Sequence, residues 1–133
     1  MAQPLVAMAA GLGALVLLRR SLSSFSSSRV DRLAVVMVTV PNSEVGKQIA
    51  RNLVENKLAA CVNVIRGIES VYMWEGKVVE DGEDLLVIKT QANLLPQLSQ
   101  RVHELHPYDV PEVLALPIEF ASPLYTKFVL DGT

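Results

Sequence analysis

The sequence has little of what several large classes of protein depend on. It contains a single cysteine, Cys61, in 133 residues, which excludes an intramolecular disulfide framework. Its basic residues are scattered and its formal net charge is −2, so it lacks the basic surface that a nucleic-acid-binding protein needs. Neither a glycine-rich phosphate loop nor a nucleophile elbow is present, and no Ser, His and Asp stand at a familiar catalytic spacing. The chain is therefore predicted to bind no nucleic acid and not to be an enzyme.

Acidic residues are absent before Asp31, and this first part differs most from a folded domain. Residues 5–18 are apolar or small throughout, and two arginines and a serine-rich stretch over 21–28 follow. The apolar run is shorter than the roughly 20 residues of a membrane-spanning helix. The composition fits a secretory signal or membrane anchor and a mitochondrial presequence about equally, and a buried helix less well. We therefore divide the chain into a targeting or membrane-anchor segment over 1–30 and one folded domain over 31–133.

The domain begins with a strand pattern followed by a helix pattern. Residues 33–40 form an apolar, β-branched run that predicts a buried strand. Asn42 or Ser43 can cap a helix whose apolar residues recur every fourth position, and this helix is expected to end near Lys57.

Two β-type segments come next. Residues 60–74 and 77–90 predict a long hairpin, in which Gly67 marks a bulge. The acidic stretch 80–84 is interpreted as a second bulge or a solvated loop.

The last third of the chain contains a second helix and a last clear strand. Pro96 fits the first turn of a helix that stops before His106, and residues 113–118 predict the strand. Residues 123–130 form a short element of uncertain type. The order of strand, helix, strand, strand, helix and strand predicts a ferredoxin-like α+β fold, with two helices on one face of an antiparallel sheet. The other face is left uncovered, so we expect the chain to self-associate.

Few side chains could carry chemistry. Cys61 in a strand is most simply a small apolar residue, and His103 and His106 near a helix end are most simply cations favoured by the helix dipole. Residues 106–112 read His-Pro-Tyr-Asp-Val-Pro-Glu, so two prolines stiffen a run of polar side chains. Cysteine, histidine and carboxylate together suit copper or zinc better than magnesium or calcium. Trp74 at the hairpin tip is interpreted as a cap on a neighbouring subunit in preference to a ligand-stacking residue.

Four short motifs resemble those of the CutA divalent-cation-tolerance family. They are Ala-Ala-Cys-Val-Asn over 59–63, Tyr-Met-Trp-Glu-Gly-Lys over 72–77, Ile-Lys-Thr over 88–90 and the run over 106–112. The resemblance implies a ferredoxin-like homotrimer similar in architecture to the PII signalling proteins. It also implies a copper or other divalent-cation site at Cys61, His106 and Glu112, with Cys61 and His106 meeting across a subunit boundary.

Two departures from the family pattern stand out. Asp109 occupies a position where many members carry glutamate. Members also continue beyond the region of Tyr125 into a C-terminal helical segment that helps to seal the trimer, and we expect this chain to lack it.

The sequence thus predicts a trimeric, copper-binding protein involved in metal-ion tolerance or response. The first alternative is a trimeric scaffold that the N-terminal segment displays on a membrane to hold or traffic partner proteins. The second is a PII-like sensor that binds a small ligand in the clefts between subunits.

Overall fold

The structure is a computed structural model that describes residues 32–133, so the predicted targeting segment lies outside the described residues. Its elements are β1 (Leu33–Val40), α1 (Ser43–Glu55), β2 (Cys61–Trp74), β3 (Lys77–Gln91), α2 (Leu95–Leu105), β4 (Leu114–Pro117) and α3 (Pro123–Asp131). The strands form one antiparallel sheet in the order β2-β3-β1-β4. The predicted ferredoxin-like α+β fold is confirmed. Within residues 32–133 no helix is long and apolar enough to cross a membrane.

Alternating residues of β1 build the main core. Val36, Val38 and Val40 are fully buried, and the register places Ile88 and Leu86 of β3 beside the first two. Leucine, isoleucine and valine side chains of α1 and α2 close this face: Ile49, Leu53, Leu98 and Val102. The period-2 pattern of the strand and the period-3.6 pattern of the helices therefore meet in one apolar layer.

The opposite face of the sheet is covered at one end by α3. Gln91 Nε2 donates a hydrogen bond to Thr133 Oγ1 at 2.7 Å, and Tyr125 lies against Cys61. Ser122 caps the helix, accepting a hydrogen bond from the Tyr125 N–H at 3.4 Å. The expectation that a C-terminal helical segment is missing was wrong, because residues 123–131 form that helix.

The bulge predicted at Gly67 is confirmed. The register of β2 and β3 passes from the pair Ile65–Leu85 to the pair Ile68–Glu83, which adds one residue to β2. Gly67 adopts φ of 74°, a left-handed conformation that glycine tolerates best. Its N–H donates to Asp84 Oδ1 at 3.0 Å.

Asp84 joins this bulge to the first helix. Its other oxygen, Oδ2, accepts a hydrogen bond from the Ser43 hydroxyl at 2.9 Å, at the start of α1. Only 7% of Asp84 is exposed, so the carboxylate has exchanged water for these two donors. One side chain therefore fixes the base of the hairpin against the body of the domain.

The acidic stretch 80–84 is a continuous part of β3, so its interpretation as a bulge or solvated loop was wrong. Glu83 and Asp84 are both buried and accept hydrogen bonds from Tyr108, Ser43 and Gly67. These donors come from other parts of the chain. They supply the hydrogen bonds that exposed carboxylates otherwise receive from water.

Candidate functional site

The added residue in β2 decides which side chains face the candidate site. Paired residues of an antiparallel ladder lie on the same face of the sheet. Because β3 runs without a break, the pairs Ser70–Asp81 and Ile68–Glu83 place the even positions of β2 after the bulge beside Asp81 and Glu83. Before the bulge, the odd positions of β2, including Cys61, occupy that face. The bulge thus brings Tyr72 and Trp74 to the side of these carboxylates.

An open cleft of about 690 Å³ lies between this hairpin and the loop that follows α2. The rings of Tyr72, Trp74 and Tyr108 and the carboxylates of Asp81, Glu83, Asp109 and Glu112 line it. Thr39, near the end of β1, also lines it. The volume falls in the range of pockets that hold small molecules.

Two tyrosines hold two of these carboxylates. The Tyr72 hydroxyl donates to Asp81 Oδ2 at 2.5 Å, and the Tyr108 hydroxyl donates to Glu83 Oε2 at 3.1 Å. The hydrogen bond to Asp81 raises the pKa of Tyr72 above its usual value. Burial, followed by the hydrogen bond to Glu83, raises the pKa of Tyr108 to about 12. Both phenols therefore stay protonated and act as donors at neutral pH.

His106 is buried at the C-terminal end of α2, with 7% of its surface exposed. Its Nε2 lies 2.7 Å from the carbonyl oxygen of Thr39, and its Nδ1 accepts the N–H of Tyr108 at 3.2 Å. A carbonyl only accepts and an amide N–H only donates, so the ring is the neutral tautomer with hydrogen on Nε2. Both ring nitrogens are engaged by the backbone, and a metal ion could bind His106 only after one of these bonds opens.

Cys61 begins β2 directly across from Lys89, on the sheet face that the main core does not use. It is a free, partly exposed thiol. Burial and the neighbouring Cys61 raise the pKa of Tyr125 on α3. Lys89 is itself buried and donates to Asn63 and to the carbonyl of Val87.

The three predicted metal ligands do not come together within one chain. Cys61 is level with Val35 of β1 through Lys89, whereas His106 binds Thr39, four residues further along that strand. That difference corresponds to about 13 Å along the sheet. Glu112 lines the cleft near Tyr108. Within the described ranges no three His, Cys, Asp or Glu side chains stand close enough to hold one metal ion.

Comparison with known proteins identifies the family. The sequence profile described as the CutA1 divalent ion tolerance protein matches residues 34–132. The chain belongs to the CutA1 divalent-ion tolerance family. The family resemblance drawn from the short motifs is thereby confirmed.

Several CutA relatives are similar over the whole folded part. The chloroplastic CutA protein of Arabidopsis thaliana is 53% identical over 107 residues, which are 80% of this chain and 59% of that protein. The divalent-cation tolerance protein CutA of Thermus thermophilus is 50% identical over 99 residues, which are 74% of this chain and 96% of that protein. The crystal structure of CutA1 from Oryza sativa superposes with a TM-score of 0.77 at 51% identity, covering 80% of this chain and 97% of that one.

The CutA motifs mark only part of the cleft. The motif over 72–77 contributes Tyr72 and Trp74, and the motif over 106–112 contributes Tyr108, Asp109 and Glu112. Sequence reasoning missed Asp81 and Glu83 as lining residues. The bulge at Gly67 could have revealed them, because one added residue in β2 places Asp81 and Glu83 opposite the even positions of that strand.

Proposed function

We propose that the chain contributes to tolerance of divalent metal ions by binding one of them, copper in the first instance, as a homotrimer. Membership of the CutA1 family supports the metal-tolerance role. The proposed ligands are Cys61 and His106, with Glu112 as a carboxylate. A thiolate with an imidazole favours copper over magnesium or calcium because softer donors suit softer ions. Catalytic turnover is not part of the proposal.

The distance between the proposed ligands Cys61 and His106 supports the part of the proposal that concerns the trimer. Cys61 and His106 lie about 13 Å apart along the sheet, so a shared ion needs Cys61 from one subunit and His106 from the next. The outer strands of the sheet are β2 and β4, which leaves two different edges free to pair. Contacts between two different edges, repeated around an axis, close into a ring.

His106 must change its hydrogen bonds to take part. The Nδ1 lone pair becomes available when the Tyr108 N–H moves away, while the bond from Nε2 to Thr39 can remain. Metal binding is therefore expected to shift the loop over 107–112, which also carries Glu112.

Copper titration of the purified protein by calorimetry tests the site. Cys61→Ser and His106→Ala are each expected to weaken binding by at least about tenfold, because even outer partners of metal ligands matter that much. His103→Ala is the matched control, since His103 is exposed on α2 and, among residues 32–133, its ring bonds only the Ser99 carbonyl. Unchanged affinity and stoichiometry in both ligand variants would refute the site, and a monomeric mass in native mass spectrometry would refute the trimer.

The division at residue 30 and the role of the first segment remain part of the proposal. A plant relative carries a name that places it in the chloroplast, which supports import into an organelle. The N-terminus of the mature protein, read from its intact mass in cells, shows whether the segment is removed. The scaffold alternative depends on a membrane-bound segment, and nothing within residues 32–133 favours it.

A further inference from the structure

The cleft is acidic and has no cation of its own. Asp81, Glu83, Asp109 and Glu112 line it, and neither lysine nor arginine does. The ion pairs within residues 32–133 are Arg51–Glu55, Arg101–Glu104 and Lys127–Asp131, so none of them neutralises these four carboxylates. A concave surface with one sign of charge concentrates counter-ions of the other sign. Nucleotides and organic anions are therefore disfavoured here.

Glu83 is the most informative of the four side chains. It is 93% buried, since 7% of its surface is exposed, and its Oε2 accepts the Tyr108 hydroxyl. Within the described part, no second hydrogen bond and no ion pair reaches its Oε1. Among the described residues, the only fully buried side-chain polar atom without a partner is Thr126 Oγ1. Glu83 Oε1 is therefore not fully buried, and since Glu83 lines the cleft, that oxygen is open to it. A carboxylate that is largely buried is poorly hydrated, so a cation that reaches its free oxygen through the cleft is favoured.

The spacing of the carboxylates argues against a metal ion as that cation. No three of the described His, Cys, Asp and Glu side chains are close enough to share one ion. Charges spread around a volume of about 690 Å³ match a ligand whose positive charges are themselves spread out.

The remaining walls are aromatic. The rings of Tyr72, Trp74 and Tyr108 line the same space. The two tyrosine hydroxyls already donate to Asp81 and Glu83. Ammonium groups are attracted to the faces of such rings, and methylene chains pack against them.

We propose that this cleft binds a small aliphatic polyamine, with one ammonium group on Glu83 Oε1 and others on Asp81, Asp109 or Glu112. The inference goes beyond the proposed metal function and does not require Cys61 or His106 as ligands. It assigns the cleft a ligand class opposite in charge to nucleotides and organic anions.

Calorimetric titration of the full chain with spermidine, after treatment with a chelator, tests the proposal. Saturable binding is expected, and Glu83→Gln should weaken it by at least about tenfold, because a charge-assisted hydrogen bond is lost. Glu80→Gln is the matched control: it removes the same charge from an exposed position on the same strand that does not line the cleft.

The outcomes distinguish specific binding in the cleft from nonspecific attraction of spermidine to the acidic surface. Equal weakening by Glu83→Gln and Glu80→Gln, or no saturable binding of spermidine, overturns the proposal. Tyr108→Phe, which removes the hydroxyl that orients Glu83, should weaken binding by a smaller factor, and an unchanged affinity counts against Glu83 as the anchor. Cys61→Ser should bind spermidine normally, so failure of the metal site and failure of the amine site are distinguishable.

Discussion

At the scale of single residues, His106, Tyr108 and Glu83 form one connected set of hydrogen bonds. His106 bonds the Thr39 carbonyl and the Tyr108 N–H, and the Tyr108 hydroxyl bonds Glu83. The rings of His106 and Tyr108 also pack with centroids 4.7 Å apart. Opening the Nδ1 bond of His106 for a metal ion therefore moves the residue that orients Glu83. The two proposed sites are coupled through Tyr108.

The raised pKa of Tyr108 gives a prediction for alkaline pH. The folded value of about 12 lies above the ordinary value of 10.0, so the unfolded chain loses this proton first. The stabilisation is complete below pH 10.0 and is lost as pH rises through about 12. In Tyr108→Phe, the free energy of unfolding should fall less steeply over that window.

Urea unfolding of both proteins across that pH window measures the difference. Tyr72 and Tyr125 remain in both proteins, so any change in slope belongs to position 108. Identical slopes would show that Tyr108 ionises normally in the folded state.

How far the sequence predicts these residues depends on where their partners are. The run over 106–112 singled out His106 because prolines surround it. Its tautomer could not be predicted, because Thr39 lies 67 positions away and only the fold brings the two together. Glu83 reads as a solvated acid for the same reason, since Tyr108 is 25 positions distant.

At the scale of elements, the bulge at Gly67 determines which side chains lie on each face of the hairpin. The left-handed conformation there accommodates the added residue, and Asp84 holds its N–H. A side chain at this position would meet no atom within 4 Å, so only the backbone conformation opposes substitution.

Gly67→Ala is therefore expected to lower the free energy of unfolding by about 1–2 kcal/mol, the cost of a left-handed conformation with a Cβ. Gly82→Ala is the matched control: it also has open space around the added carbon but no positive φ. Its effect should stay within about 0.5 kcal/mol. Denaturant unfolding compares them, and equal losses would mean that conformation is not the cause.

The sequence predicts most elements because their periods are clear, and α3 shows the limit. Its two buried residues, Thr126 and Val129, include only one apolar side chain, while Leu124 and Phe128 are exposed. The main sequence signal of a helix is a set of apolar residues on one face. In α3 the apolar residues lie on both the buried and the exposed faces, so that signal is weak. The sequence alone therefore leaves the type of this element open.

At the scale of the whole molecule, large apolar side chains remain exposed in two regions. Val71, Met73 and Val78 of the hairpin are 64%, 65% and 65% exposed. The second region comprises β4 and α3 with the segment between them: Leu114, Leu116, Phe120, Leu124 and Phe128. Surfaces of this kind mark interaction sites. In the proposed trimer, we expect the hairpin of one subunit to pack on the second region of its neighbour.

Met73→Lys tests this arrangement. It should raise the dissociation constant of the proposed trimer by at least about tenfold, since removing one buried apolar side chain costs about 1.5–3 kcal/mol. Gln97→Lys adds the same charge to an exposed position on α2 and should leave assembly unchanged. Analytical ultracentrifugation distinguishes the variants. A trimer that tolerates Met73→Lys would place the interface elsewhere.

The single residue added at the bulge also sets a counting rule for the hairpin. Side chains alternate between the faces of a strand, so one more residue between Gly67 and Tyr72 would turn Tyr72 and Trp74 away from Asp81 and Glu83. Two more residues would restore them. Natural variation in the length of this segment is therefore expected to come in pairs, and a lone insertion would exchange the lining of the cleft for the apolar surface on its back.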